Sequence, residues 1–162
     1  MTVGARPLRG RERPPLDLDE IDKAIIRHLQ ADGRMSYTDL GPAVGLSPAA
    51  ARQRVLALLE AGAMQIVAVT DPIKLGFDIQ AMVGCRVQGD LETVAAEVAR
   101  LPEVSYLVIT AGRFDLLAEI VAEDHEHLLR VLSGIRSMPG LEVSETFTYL
   151  RLAKQSYDWG TR

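Results

Sequence analysis

Between residues 19 and 62 the apolar positions recur at three- and four-residue spacing, and this period predicts three helices. Asp19-Glu20 open the first, Ile21, Ala24, Ile25 and Leu29 share one face of it, and Asp32-Gly33 close it. Ser36 caps the second, with Asp39 at its third position and Leu40, Ala43 and Val44 turned inward until Gly45 stops it. The third is the most sharply bounded. "GLSPAAARQRVLALLEAG" sets Gly45 in a tight turn, Ser47 as N-cap, Pro48 at the first helical position and Gly62 as the stop. A helix, a short glycine-containing turn and a second helix make a helix-turn-helix, and the helix ahead of them supplies its core. Beyond Gly62, "AMQIVAVTDPIKLG" alternates enough to predict a β-hairpin or strand before Pro72, a wing that leads into a linker.

At about 100° of rotation per residue, the third helix can be divided by face. Ala51, Val55, Leu58 and Leu59 fall together as the buried stripe, while Ala49, Ala50 and Gln53 lie opposite, flanked by Arg52 and Arg54. Small residues at a helix start let the backbone approach a groove floor, a glutamine can read a base edge, and flanking arginines reach phosphates or guanine. Ser47 and Pro48 at the head of this helix, with Tyr37 and Thr38 at the start of the second, complete the candidate DNA-reading surface. Two solvated arginines on a short helix would give the same pattern, so the face alone does not decide between the two.

The second half carries an internal repeat. Sliding the chain by 37 residues sets Leu91 on Leu128, Val94 on Val131, Ala95 on Leu132, Val98 on Ile135, Leu101 on Met138 and Pro102 on Pro139. Each copy reads strand, helix, proline-marked turn, strand, which predicts a βαββαβ ferredoxin-like sandwich with both helices on one face of a four-stranded antiparallel sheet. Helices cover one side only, yet Met82, Tyr106 and Val108 alternate with Ala81, Val83, Cys85, Leu107 and Ile109. A sheet face left bare with such residues predicts a homodimer through this domain. The fold class expected is therefore α+β: an N-terminal winged helix-turn-helix over residues 17–69, a hinge over 70–78, and a ferredoxin-like domain over 79–154. A basic arm precedes them at 1–16 and a short tail follows at 155–162.

Composition narrows the function classes. The 162 residues carry a formal net charge of -4, but the acidity lies in one half: residues 1–77 have ten Lys+Arg against nine Asp+Glu, and residues 78–162 eight against thirteen. Residues 40–59 contain Arg52 and Arg54 and no acid. The single Cys85, in an apolar setting, reads as a core residue and fits a reducing, cytoplasmic location. No apolar run approaches the roughly 18 residues of a membrane span, and "MTVGARPLRGRERPP" lacks the apolar core of a signal peptide. No phosphate loop, nucleophile elbow or metal-spaced cluster stands out, so no catalytic residue, metal ligand or cofactor is assigned. His125 and His127, two apart at a helix start, point to different faces and read as solvated.

In the order basic arm, "LDEIDKAIIRHLQADGRMSYTDLGPAVGLSPAAARQRVLALLEAGAMQ", "GRFD" between two βαβ units and a terminal "AKQS", the chain resembles the Lrp/AsnC (feast/famine) family of transcription regulators over residues 18–157. Leu18-Asp19 through Asp22, Asp32-Gly33-Arg34, Gly45-Leu46-Ser47, Arg54-Val55, Leu59-Glu60 and Gly62 carry the resemblance. It implies a DNA-binding winged helix-turn-helix and a C-terminal domain of the RAM type that senses amino acids. It also implies dimers that associate further, often into octamers, on double-stranded DNA. After Gly62 the family has an apolar pair ending in isoleucine, whereas this chain reads Ala63-Met64-Gln65-Ile66.

The resemblance sets the effector at the turn between the second and third strands, here Gly112-Arg113-Phe114-Asp115 with Thr110 before it. An amino-acid zwitterion needs an acceptor for its ammonium and donors for its carboxylate. Asp115 answers the first need; Thr110, the N–H groups of the glycine turn and Arg113 answer the second. Phe147 and Tyr149, alternate residues of the last strand, are the expected apolar walls. Ordinary hairpin chemistry would also account for the glycine and aspartate. Two further readings share the layout: an enzyme like the siroheme decarboxylases, which needs histidines and arginines gathered on substrate carboxylates, and an amino-acid sensor that binds no DNA.

Overall fold

The computed structural model describes residues 16–156. The basic arm, but for Leu16, and most of the tail lie outside them. Two compact units divide at Val69/Thr70.

In the first unit, α1 spans Glu20–Ala31, α2 Tyr37–Ala43 and α3 Pro48–Ala61. Each starts at the expected cap. The Asp22 N–H donates to the Asp19 carboxylate at 2.8 Å, while the Asp22 carboxylate accepts from the Asp19 N–H, a reciprocal capping box. Asp39 and Ala50 donate their N–H groups to Ser36 and Ser47, both at 3.2 Å. Ile25, Leu40, Ala51, Val55 and Leu58 form the small core, with Ile26 and Leu29 beside them. Ala43, expected inside, is exposed: α2 is only seven residues long, and its buried side runs through Leu40 and Gly41. Gly41 is buried because α3 starts against it. A Cβ there would lie 2.8 Å from the Leu46 carbonyl oxygen and 3.0 Å from the Pro48 nitrogen, so the helix-turn-helix closes only over a glycine.

The wing expected after Gly62 does not form in the protomer. Residues 64–70 have no regular secondary structure, and Ile66, Val67 and Val69 are exposed. Alternation marks a segment that suits a strand, but a strand exists only where another edge satisfies its N–H and C=O groups.

The second unit contains β1 Ile79–Val87, α4 Leu91–Val98, β2 Val104–Ile109, β3 Leu116–Ala122, α5 His125–Arg136 and β4 Leu141–Thr148. Its antiparallel sheet has the order β2-β3-β1-β4, which is the βαββαβ sandwich expected from the repeat. The repeated helix positions meet the sheet: Val94, Ala95 and Val98 of α4 and Leu128, Val131, Leu132 and Ile135 of α5 are buried on Ala81, Val83, Cys85, Leu116, Ala118 and Ile120. Among the described residues no element covers the opposite sheet face, and Tyr106 and Phe147 stand 46% and 47% exposed there.

Two register shifts decide which side chains reach that open face. Cys85 faces Val143 and Gly84 faces Glu145, so Ser144 is an extra residue in β4. The bulge turns Glu145 and Phe147 away from the helices, whereas Leu141 and Val143 face them. Ser105 is the equivalent extra residue of β2, between Val104 and Tyr106. Across the four strands the open face then reads Tyr106, Glu119, Met82, Phe147 in one row and Val108, Leu117, Gly84, Glu145 in the next. Among the described residues no helix is long and apolar enough to cross a membrane.

Candidate functional site

The third helix has the expected faces. Ala51, Val55 and Leu58 are buried and Leu59 half-buried, while Ala49, Arg52 and Gln53 are exposed and Ala50 is half-buried. Ser47 is exposed but its hydroxyl is occupied in capping. Thr38 is exposed; Tyr37 is half-buried and packs on the core of the unit.

Arg54 differs from Arg52. Its guanidinium donates to the Asp22 carboxylate at 2.9 Å and makes a second, shorter bond with Asp19, both at the start of α1. The Asp22 side chain is 15% exposed, whereas Arg54 and Asp19 are 37% and 49% exposed, so the cluster is partly buried at its Asp22 end. The Asp22 N–H and then the Arg54 guanidinium hold the Asp19 carboxyl below its ordinary value, and the two carboxylates push Arg54 up.

At the β2–β3 turn most of the polar groups are already used. The Thr110 hydroxyl donates to the Phe114 carbonyl at 2.6 Å, and the Thr110 N–H to the Asp115 carbonyl at 2.9 Å. Asp115 sews the turn to β1: its N–H donates to the Cys85 carbonyl at 2.9 Å and its carboxylate accepts from the Val87 N–H at 2.8 Å. Arg86 Nε donates to the Arg113 carbonyl at 3.2 Å.

Phe114 lies flat on the bare backbone of Gly84, and the Phe147 ring meets it edge-on with centroids 6.4 Å apart. The Arg113 guanidinium stands 5.6 Å from the Phe114 centroid and pairs with the Glu145 carboxylate. Glu145 was not among the expected site residues, although it alternates with Phe147 on one strand face; the bulge at Ser144 turns both toward this corner. Tyr149 lies further along, its N–H on the Gln80 carbonyl, and its phenol is pushed up by burial and by the Glu119 carboxylate. Of the two expected walls, the structure brings Phe147 to the turn and leaves Tyr149 beside Glu119.

The histidines do not form a metal site: among the described residues no group of three or more His, Cys, Asp and Glu side chains is placed to hold an ion. His125 is exposed as expected, but His127 is not simply solvated, since its Nε2 lies 3.5 Å from Glu103 and its side chain is 20% exposed.

Residues 18–59 match the AsnC-type helix-turn-helix domain, and residues 80–159 match the Lrp/AsnC ligand binding domain. The chain belongs to the Lrp/AsnC family. Like other members of that family it is a transcriptional regulator, with a DNA-binding helix-turn-helix and a ligand-binding domain. It is 33% identical over 141 residues to the FL11 regulator of Pyrococcus horikoshii, a match covering 86% of this chain and 93% of that one. The leucine-responsive regulatory protein of Serratia marcescens is 30% identical over 153 residues, which cover 91% of this chain and 93% of its own. In three dimensions this Lrp/AsnC chain is similar to a transcriptional regulator of Neisseria meningitidis crystallised with L-methionine, at a TM-score of 0.78 and 27% identity over 86% of this chain and 94% of that one.

Proposed function

We propose that this Lrp/AsnC regulator reads double-stranded DNA through the exposed face of α3 and that an amino acid bound at the β2–β3 turn changes its assembly. The observation that supports the ligand half best is the Arg113–Glu145 pair beside two apolar rings. An α-amino acid carries one charge of each sign next to an apolar group, and this corner offers one charge of each sign next to Phe114 and Phe147. With Arg113 70% exposed, an ion pair contributes only about 0–1 kcal/mol, so a zwitterion can separate it at small cost. In this reading Glu145 takes the ammonium, Arg113 the carboxylate and Phe147 the side chain; Asp115, Thr110 and Gly112 shape the turn. The L-methionine in the Neisseria structure is of the same ligand class.

Ala49, Ala50, Arg52 and Gln53 form the DNA-reading head, with Ser47, Pro48 and Thr38 at its edge. The open sheet face of the second unit, with Met82, Val108, Leu117, Tyr106 and Phe147, supports a homodimer formed by a second copy on that face, and dimers that associate further. Two reading heads on one dimer suit two half-sites.

A thermal-shift and light-scattering screen of the full chain against the twenty amino acids tests this. At least one amino acid should raise Tm and change the particle size together. A screen in which none moves either quantity overturns the effector assignment.

A further inference from the structure

We infer that Arg54 is a positioning residue for DNA reading: it clamps the recognition helix to the N-terminus of α1 and does not itself touch DNA. The inference rests on the DNA-reading role of α3 and sharpens which residues carry it.

Two arginines flank the reading face two positions apart, so they project from α3 in directions about 200° apart. Arg52 is exposed, as a phosphate or base contact requires. Arg54 takes the other direction. Its guanidinium bonds the carboxylates of both Asp19 and Asp22, across a sequence separation of more than thirty residues. Both bonds leave one guanidinium nitrogen, Nη1, so a single always-charged group on α3 is tied at once to two carboxylates at the start of α1.

The place of the strut matters as much as its strength. Arg54 stands midway along α3, between the buried Ala51 and Leu58, and among the described residues the apolar core of this unit has seven buried side chains, four of them at 0% exposure, to fix the helix's rotation. Asp19 is also the N-cap of α1 and Asp22 closes the capping box, so bonds within α1 hold both carboxylates independently of Arg54. The clamp therefore transmits a fixed point on α1 to the helix that carries Arg52 and Gln53. An arginine in this arrangement has also given up its charge to the protein. Freed to contact phosphate, it would leave two carboxylates facing an anion.

The decisive test is the sign of one substitution. Asp22→Asn removes a negative charge from a DNA-binding domain, which on electrostatics alone tightens binding. If Arg54 is a clamp, Asp22→Asn weakens binding instead, by about fivefold or more. Duplexes selected from a random pool by the wild-type full chain serve as the probe, at a temperature well below the Tm of every variant. Under these conditions Arg54→Ala should lose affinity with an unchanged salt slope, whereas Arg52→Ala should lower the slope by about one unit. The Arg54→Ala/Asp22→Asn double variant should bind no worse than the weaker single one, and Arg54→Lys should recover part of the loss. Asp22→Asn binding as tightly as wild type or tighter overturns the inference, and so does an Arg54→Ala salt slope reduced as far as that of Arg52→Ala. Should Arg54→Ala fail to fold, the sign for Asp22→Asn alone decides.

Discussion

The ring of Phe114 occupies the space that a side chain at residue 84 would need: a Cβ on Gly84 would lie 2.8 Å from two ring atoms and 2.9 Å from a third. The aromatic corner of the proposed ligand site thus depends on a missing methyl group in the neighbouring strand. Gly84→Ala must push the Phe114 ring off the sheet, an overpacking that costs about 1–3 kcal/mol. We expect a lower Tm together with loss of the amino-acid response, because Phe114 carries Arg113 and meets Phe147. A Gly84→Ala variant with wild-type Tm and wild-type ligand response would show that the corner does not need this stack.

Under the proposed function Glu145 takes the ammonium that sequence reasoning gave to Asp115, and Asp115 holds the turn. The Asp115 carboxylate accepts from the Val87 N–H, so Asp115→Ala strands a partly buried donor and should destabilise the protein by about 1–3 kcal/mol. Glu145→Gln breaks only a surface pair and should change stability by less than about 1 kcal/mol while abolishing the amino-acid-induced shift in Tm. Denaturant unfolding with and without the amino acid that shifts wild type separates the two effects. Loss of stability in Glu145→Gln with an intact ligand response reverses the assignment.

Helices and their caps were legible in the sequence because their causes are local. Asp19, Ser36 and Ser47 each act within three residues of themselves, and the period of the apolar positions survives whatever packs on it. The repeat revealed the second unit for the same reason. What escaped depended on pairing between distant segments. Nothing in "LEVSETFTY" marks Ser144 as the extra residue of a bulge, yet that bulge alone delivers Glu145 to the turn. Arg54 read as a free cation because its two partners lie more than thirty residues earlier. The strand expected over the wing failed on the same account: alternation was present and a second edge was not.

Cys85 should be chemically silent in the folded protein. It is 1% exposed and burial pushes its thiol from the ordinary 9.0 up to about 11. The neutral thiol is favoured in the fold, so this contribution to stability is complete below pH 9.0 and is lost as the pH rises toward about 11. A disulfide-exchange reagent at about pH 8 should label no thiol in native protein and one per chain in denaturant. Rapid labelling of the native protein would show that the sheet opens at Cys85.

Acid should loosen the first unit through Asp19. Its carboxyl is held below the ordinary 3.8, first by the Asp22 N–H and then by Arg54. A carboxyl with a depressed folded value stabilises the fold above its unfolded value, and that contribution disappears as the pH falls through the folded one. The Tm difference between wild type and Asp19→Asn should therefore be constant from about pH 7 to 5 and shrink below about pH 4. Asp90 and Asp124 cap α4 and α5 in the same way, with values lowered by Thr93 and by the His127 N–H, so the wild-type protein loses stability in both units over that range. The paired measurement isolates the first unit, since both proteins share the caps of the second. A difference that stays constant down to about pH 2 would mean that the Asp19 carboxylate contributes nothing through its charge, and that α1 is held by its apolar face alone.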